Sequence, residues 1–236
     1  QIIRYKLEKN PKSFYCFDQI ISNIQWAKML NRKLPIYKFL YYVHFWSNKI
    51  FNNQTFIFNS SQTDSRDIHL LFDKFDARIN FTDEENELAL SWLKEFGFQS
   101  GEKFICLLIR DDEYLKKHFN SYNMDYHSYR NSDIESYKDA IKWLISKDYW
   151  VIRMGKLASK EIKIDSDKYI DFSFSNNKTD LIDIWLFANC NGCISTGTGP
   201  DSIPHIYGIP CLGINWLPVM NIHSFQDIIT YPKYLY

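Results

Sequence analysis

The second half of this 236-residue chain predicts an α/β fold built on a doubly wound parallel sheet. From residue 104 onward, short apolar runs alternate with segments of helical spacing. The run 104–109 contains only apolar residues, as expected for a strand covered on both faces. Strands that alternate with helices in this way form parallel sheets joined by right-handed crossovers.

The remaining elements follow from the same patterns. We expect further strands at 149–152, 169–174, 192–194 and 210–214. Helices are expected at 82–96, 133–147 and 179–189. Two of them open on capping-box patterns, Thr82 with Glu85 and Ser132 with Glu135. The apolar face predicted for the helix at 82–96 consists of Leu88, Leu90, Trp92, Leu93 and Phe96.

The first half of the chain carries weaker signals. Apolar spacing predicts helices at 17–30 and 35–46, and residues 54–58 alternate enough for a short strand. A polar stretch near residue 100 suggests a mostly helical region 1–99 followed by a second domain, 100–236. The sequence begins with Gln1 rather than Met, so we expect a partial or reduced N-terminal domain.

Composition narrows the class of protein. Hydrophobic residues make up 45%, and Lys+Arg and Asp+Glu each number 28, which predicts a soluble globular protein with zero net charge. We therefore expect no nucleic-acid partner. No apolar run reaches membrane-spanning length, so the expected location is the cytoplasm or the periphery of a membrane. Cys190 and Cys193 form a C-x-x-C pattern without a second pair, which favours buried thiols over a zinc or redox site.

The loop after residue 194 has two interpretations. Residues 195–199 read Ser-Thr-Gly-Thr-Gly, and a short helix is expected from about Pro200 to Gly208. Gly197 and Gly199 would let a phosphate approach the backbone, and helix N-terminal N–H groups would bind it. The hydroxyls of Ser195, Thr196 and Thr198 would add donors. The same glycines would equally serve a tight turn with no ligand.

Arginines at the neighbouring strand ends favour the phosphate interpretation. Arg110 follows one expected strand, Arg153 follows the next, and Arg130 lies just before a helix that starts on the same edge. Ligands bind outside the carboxyl ends of parallel strands, and arginine pairs with phosphate in a bidentate manner. Each arginine alone would more often form a surface ion pair. Together they predict a diphosphate site.

In this order the motifs resemble the C-terminal half of the GT-B glycosyltransferases. They are most similar to an uncharacterised group of bacterial glycosyltransferase-like proteins from surface-polysaccharide clusters. The turn Thr198-Gly199-Pro200, with Gly208-Ile209-Pro210 after it, is also similar to the donor loop of heptosyltransferases. The resemblance covers residues 81–236. The chain departs from the heptosyltransferase pattern at Ser202, where that family carries a histidine, and His205 comes later.

The resemblance implies a GT-B-like fold with a Rossmann-like second domain. It also implies a metal-independent glycosyltransferase of hexosyl or related type, with a nucleotide-sugar donor, a glycan or lipid-linked glycan acceptor, and no cofactor. Asp111 is the candidate base, although it could instead orient Arg110 or Arg130. We expect Arg153→Ala and Gly199→Val to abolish nucleotide binding. The expected substrate-binding residues are Arg110, Arg130, Asn131, Arg153, Gly155, Ser195, Thr196, Gly197, Thr198, Gly199, Asp201 and Ser202.

Two other functions stay open. A nucleotide-sugar epimerase shares the same two-lobed architecture and would convert the donor without an acceptor. A non-catalytic nucleotide-binding or scaffold module would keep the fold without turnover, and the first half, which lacks recognisable chemistry, motivates this alternative.

Overall fold

The computed structural model describes residues 2–6, 13–17, 21–50, 57–58, 79–118, 125–219, 222 and 228–234. Its contacts divide the chain into two compact units, Gln1–Ser65 and Arg66–Tyr236. This division lies upstream of the boundary expected near residue 100, because a helix at Asp83–Glu95 groups with the second unit. The acceptor-side and donor-side roles of the two regions stay predictions.

The first unit combines a small antiparallel sheet with two helices. Its strands are ordered β2-β1-β3, with β1 at Ile2–Lys6, β2 at Ser13–Phe17 and β3 at Ile57–Phe58. Helix α1 spans Ile24–Asn31 and α2 spans Phe39–Ile50. The sequence did not predict β1 and β2, and both helices begin later than expected. Asn23 explains the start of α1, because its side chain accepts a hydrogen bond from the Trp26 N–H at 2.9 Å.

The second unit contains the parallel sheet predicted from the alternating pattern. Its six strands are ordered β6-β5-β4-β7-β8-β9, and every neighbouring pair is parallel. The last strand, β9, lies beyond the predicted elements. The strands are β4 Lys103–Leu108, β5 Tyr149–Arg153, β6 Tyr169–Asp171, β7 Gly192–Ser195, β8 Cys211–Trp216 and β9 Ile228–Pro232.

Five α-helices and three short 3-10 segments complete the described part of this unit. The described residues of 113–130 form one α-helix and one 3-10 segment. No helix in the described ranges is both long and apolar enough to cross a membrane. The helices are α3 Asp83–Glu95, α4 Glu113–His118, α5 Lys138–Ser146, α6 Asp180–Asn189 and α7 Ser202–Ile206, and the 3-10 segments are Asp125–Arg130, Ile134–Tyr137 and Gly199–Asp201.

One of the two predicted capping boxes is confirmed. At the start of α3, the Thr82 hydroxyl accepts from the Glu85 N–H, and the Glu85 carboxylate accepts from the Thr82 N–H at 2.9 Å. The second box is wrong, because Asp133 rather than Ser132 accepts from the Glu135 N–H. An Asp side chain can accept a hydrogen bond from the N–H two residues later, so Asp133 caps the first turn in place of Ser132.

The buried face of α3 also differs from the predicted one. Ala89, Trp92 and Leu93 are buried, whereas Leu88 and Leu90 are exposed. The small Ala89 side chain belongs to the stripe that packs on α6, which a search for large apolar residues overlooks.

Both faces of the central strand β4 are covered by helices. Successive side chains on a strand point to opposite faces. Leu107 packs in a core cluster with residues around α5, while the Cys106 thiol donates to the Leu186 carbonyl of α6. The cluster contains Ile134, Tyr137 and Ile141, flanked by Leu144 and Ile145, so the segment 134–145 buries one face against the sheet. Its other members are Leu107, Ile109, Val151 and Ile162.

Candidate functional site

The strand order places a topological switch point between β4 and β7. From β4 the sheet grows through β5 to β6 in one direction, and from β7 through β8 to β9 in the other. Open α/β sheets bind ligands at such a point, outside the carboxyl ends of the strands. Arg110 follows β4 and Ser195 ends β7, so the structure brings these two predicted site residues to the same edge.

Thr196 joins the ends of the two central strands. Its hydroxyl accepts a hydrogen bond from the Arg110 backbone N–H at 2.8 Å, and its own N–H donates to the Leu108 carbonyl at 3.1 Å. The side chain is completely buried. Thr196 therefore joins the two strand ends from inside. Its hydroxyl accepts this internal hydrogen bond.

The loop after β7 is held by its own polar side chains. The Asp201 carboxylate accepts from the Ser195 hydroxyl at 2.9 Å and from the Thr198 N–H at 2.8 Å. The Ser195 hydroxyl in turn accepts from the Gly197 N–H at 3.1 Å. Ser195 and Asp201 are both buried. These bonds make Ser195 and Asp201 the internal frame of the loop.

The two glycines of the loop have different roles. Gly197 has a φ of +79°, and a Cβ added there would lie 3.3 Å from the Trp216 ring. Gly199 is exposed, and a Cβ there would meet nothing within 4 Å. Only Gly197 is required by the backbone and by its packing. The hydroxyl of Ser202 donates to the Gly199 carbonyl at 2.9 Å and closes the short helical turn.

Two half-buried arginines meet at this loop. Arg130 Nη2 donates to the Gly197 carbonyl at 2.9 Å, so Arg130 contacts the loop directly. The Nε atoms of Arg110 and Arg130 are buried and have no hydrogen-bond partner among the described residues. Burial, followed by the positive charge of Arg130, lowers the pKa of the Arg110 guanidinium. Two adjacent cations with unsatisfied donors form a site suited to an anion.

The segment that carries Arg130 adds further unsatisfied groups. The Ser132 N–H donates to the Arg110 carbonyl at 3.0 Å, which ties this segment to the end of β4. Asn131 Oδ1 and the Ser132 hydroxyl are buried without a partner in the described part of the chain. The Lys233 ammonium donates to the Tyr129 carbonyl at 3.0 Å and the Asn131 carbonyl at 2.9 Å. Lys233 therefore anchors the segment from the end of β9.

Sequence reasoning did not assign Ser132 or Lys233 to the site. The sequence predicts Ser132 as a helix cap. Asp133 caps the helix instead, and the Ser132 hydroxyl has no partner among the described residues. The only signal for Ser132 was its place in the segment that contains Arg130. No sequence pattern points to Lys233, because its contacts depend on strand β9, which the sequence does not predict.

Arg153 forms its polar contacts within the fold. Its guanidinium pairs with Asp171 at 2.9 Å and donates to the Lys160 carbonyl at 2.6 Å. The residue is only 2% exposed, and its guanidinium lies in a buried ion pair. The nearby Gly155 has a φ of +143°, and a Cβ there would lie 2.9 Å from the Ser173 hydroxyl. That position serves a tight turn after β5.

Asp111 has structural partners on both carboxylate oxygens. Oδ1 accepts from the Glu113 N–H at 3.2 Å at the start of α4. Oδ2 accepts from the Ser159 N–H at 2.9 Å and from its hydroxyl at 3.3 Å. Asp111 thus joins two loops at the carboxyl edge, and its role as a base stays a prediction.

The buried thiols form a separate group in the sheet. Cys106, Cys190, Cys193 and Cys211 are free and buried, as the apolar runs predicted. Cys193 and Cys211 are direct neighbours in β7 and β8. A hydrogen bond from Cys193, together with His205, lowers the pKa of Cys211 to about 6. Among the described residues, no group of three or more His, Cys, Asp and Glu side chains is arranged to hold a metal ion.

Comparison with known proteins yields one partial structural likeness. No protein-family model and no curated protein sequence matches the chain. Among solved structures, the chain is similar to E. coli ADP-heptose lps heptosyltransferase II, with 12% sequence identity and a TM-score of 0.43. The match covers 65% of this chain and 44% of that one, so the chain spans less than half of the heptosyltransferase's length. Likeness at this level carries no argument about activity.

Proposed function

We propose that this chain is a glycosyltransferase that takes a nucleotide-sugar donor and binds its diphosphate at the switch point between β4 and β7. The observation that carries this proposal is the pair Arg110 and Arg130, whose buried Nε donors lack partners among the described residues, opposite the Gly197 turn. A buried donor without a partner costs about 1–3 kcal/mol, so such a pair is retained where a ligand satisfies it.

The chemistry follows from the charge of the leaving group. An acceptor hydroxyl forms a bond to the anomeric carbon, and the bond from that carbon to the phosphate oxygen breaks. The electron pair leaves with the nucleoside diphosphate, and the proton of the hydroxyl passes to a base. Arg110 and Arg130 would stabilise the negative charge that develops on the diphosphate. These two cations can supply the required charge by themselves, so we propose metal-independent transfer without a cofactor.

The identity of the base is a further part of the proposal. Asp111 directly follows Arg110, and among the described residues its Oδ2 accepts hydrogen bonds from Ser159. Release of Ser159 when the acceptor binds would free this oxygen to accept the proton. We propose a glycan or lipid-linked glycan acceptor of bacterial surface-polysaccharide synthesis, supported by the resemblance of the motifs.

Nucleotide binding tests the diphosphate site directly. We expect calorimetry with a panel of nucleoside diphosphates to find at least one that binds. Arg130→Met should weaken that affinity about ten- to hundredfold, since a hydrogen bond to a charged group contributes about 1.5–3 kcal/mol. Arg32→Met is the matched control, because Arg32 is exposed and belongs to the first unit, and it should leave the affinity unchanged. Equal affinity in both variants, or no binding by the wild type, would contradict the proposal.

Turnover separates transfer from the alternatives. We expect release of nucleoside diphosphate from a nucleotide sugar only when a glycan acceptor is present, with and without a chelator. Conversion of the donor into an epimer without acceptor would instead establish an epimerase. Nucleotide binding with no turnover under any condition would support a non-catalytic module.

A further inference from the structure

Helix α2 exposes an apolar stripe. Phe39, Tyr42, Val43, Trp46 and Ile50 are spaced i, i+3, i+4, i+7 and i+11, which places them on one helical face. Their exposed fractions range from 50% for Val43 to 67% for Ile50. In a globular unit this stripe normally faces the core, and large exposed apolar patches mark interaction sites.

The segment that contains this stripe is positively charged. Residues 21–50 contain five basic side chains and no Asp or Glu, although the whole chain has zero net charge. All five basic residues are exposed: Lys28, Arg32, Lys33, Lys38 and Lys49. The Lys49 ammonium lies 4.6 Å from the centre of the Phe45 ring and 5.5 Å from that of Trp46. The Lys49 charge therefore shares one surface with these aromatic rings.

We infer that α1 and α2 form a docking surface for an anionic lipid bilayer. Trp and Tyr side chains favour the headgroup region, where the ring is buried and the polar atom stays hydrated. Lysine and arginine bury their stems and extend their charges to lipid phosphates. A helix with this composition lies in the plane of the interface. The inference rests only on the first unit and is independent of the proposed transferase site.

Charge distinguishes the bilayer from a second copy of the chain. A symmetric pair would bring the same patch of each copy together, and five positive charges on each side would repel. An anionic surface attracts the same charges, each adding to the binding. Complementarity therefore selects an anionic lipid surface as the occupant.

The second unit offers a matched control. Trp143 on α5 is 60% exposed, and the Lys147 ammonium lies 5.9 Å from the centre of its ring. This pair repeats the contact between Lys49 and Trp46, but the acidic residues Glu135 and Asp139 lie nearby in sequence, whereas residues 21–50 contain none. Trp143→Ser thus removes an equally exposed indole that is not part of the surface.

Vesicle sedimentation tests the inference on the whole chain. We expect the protein to bind vesicles of phosphatidylcholine with about a quarter phosphatidylglycerol, and to bind pure phosphatidylcholine at least about tenfold more weakly. Raising the salt from about 0.15 M to about 0.5 M should reduce binding. Trp46→Ser, and separately Lys38→Glu with Lys49→Glu, should each lower the partition coefficient about tenfold or more. Trp143→Ser should leave it unchanged.

Several outcomes would overturn the inference. They are equal binding to neutral and anionic vesicles, no binding by the wild type, and an equal loss in Trp143→Ser. A dimer in light scattering that Trp46→Ser dissociates, without vesicle binding, would assign the stripe to a second copy instead. Circular dichroism checks the fold of each variant, and the charge-reversal variant tests the surface independently if Trp46→Ser unfolds.

Discussion

Arg110 and Arg153 follow from the same sequence signal but have opposite environments. Both were expected just after neighbouring strands of one parallel sheet. Arg153 is buried, with its guanidinium bonded to Asp171 and to the Lys160 carbonyl. Arg110 is half-buried, its Nε has no partner in the described residues, and its charged neighbour is Arg130. A cation satisfied by its own fold stabilises structure, whereas a cation left unsatisfied is available to a ligand.

Strand register explains the difference. Arg153 is the last residue of β5 and pairs with Leu107 of β4, so it lies within the sheet. Its other neighbour in the register is Asp171 of β6, which places the carboxylate directly beside it. Arg110 comes three residues after Leu107 and has left the sheet. A difference of three positions relative to Leu107 therefore separates the two arginines. Arg153 lies inside the sheet, and Arg110 lies at its edge.

The largest expected effect is the loss of stability in Arg153→Met. This change leaves the Asp171 carboxylate buried without its cation and should lower the free energy of unfolding by about 3–5 kcal/mol. Urea unfolding followed by circular dichroism measures it. The double variant Arg153→Met with Asp171→Leu should recover most of the loss, because it removes both buried charges.

The same variant distinguishes the two arginines by ligand binding. Under conditions where Arg153→Met is folded, its affinity for a nucleoside diphosphate should equal that of the wild type. Arg130→Met should do the reverse, losing affinity while its free energy of unfolding falls less than in Arg153→Met, because it removes one hydrogen bond to the Gly197 carbonyl and leaves no buried charge unpaired. If Arg153→Met were as stable as the wild type and failed to bind nucleotide, the division between the two arginines would be wrong.

A second prediction compares the two glycines of the loop. Gly197→Ala should cost about 1–3 kcal/mol of stability, because alanine is strained at a φ of +79° and its Cβ would crowd the Trp216 ring. Gly199→Ala should change stability by less than about 0.5 kcal/mol, since its Cβ points into open space. The expectation that a side chain at Gly199 abolishes binding is thereby moved to Gly197. Thermal unfolding of both variants measures the difference.

A matched nucleotide titration completes this comparison. Gly197→Ala shifts the carbonyl that Arg130 binds and should weaken nucleotide affinity, whereas Gly199→Ala should not. Equal loss in the two variants would mean that the exposed part of the loop, and not the turn at Gly197, contacts the ligand.

The sheet was predictable because its signals are local. Apolar runs that alternate with capped helices specify parallel strands, and Thr82 with Glu85 marks the start of α3 without reference to the rest of the fold. The first unit was less predictable. β1 and β2 pair with each other in antiparallel register, and their contacts come from the partner strand rather than from an apolar pattern of their own.

The site was predictable as a location but not as a set of contacts. Strand ends converge on one edge in any parallel sheet, so Arg110 and the loop after β7 could be brought together from sequence. The burial of Thr196 and Asp201 could not, because their hydrogen bonds depend on positions fixed by the whole edge. Register is equally hidden: a shift of one or two residues sends Arg153 inward without changing the sequence pattern.

The smallest expected effect concerns the protonation of Asp171. Burial raises the pKa of this carboxyl above its usual range, and the Arg153 guanidinium offsets only part of that increase. Because the pKa is higher in the folded state than in the unfolded state, the folded state binds the proton more readily. The contribution of Asp171 to stability is therefore full below the unfolded-state pKa and is lost as the pH rises through the folded-state pKa.

The test compares the wild type with Asp171→Asn, which cannot titrate. As the pH falls from 7 toward 4, the free energy of unfolding of the wild type should rise relative to that of the variant, because all other groups titrate alike in both proteins. Urea unfolding at several pH values measures this difference. A wild type that loses stability relative to Asp171→Asn on acidification would show that Arg153 holds the Asp171 pKa below its usual range. The attraction of Arg153 would then exceed the free-energy cost of burying the charged Asp171 carboxylate. In that case Arg153 would differ from Arg110 and Arg130 because it has a strong acidic partner, and not because it is more buried.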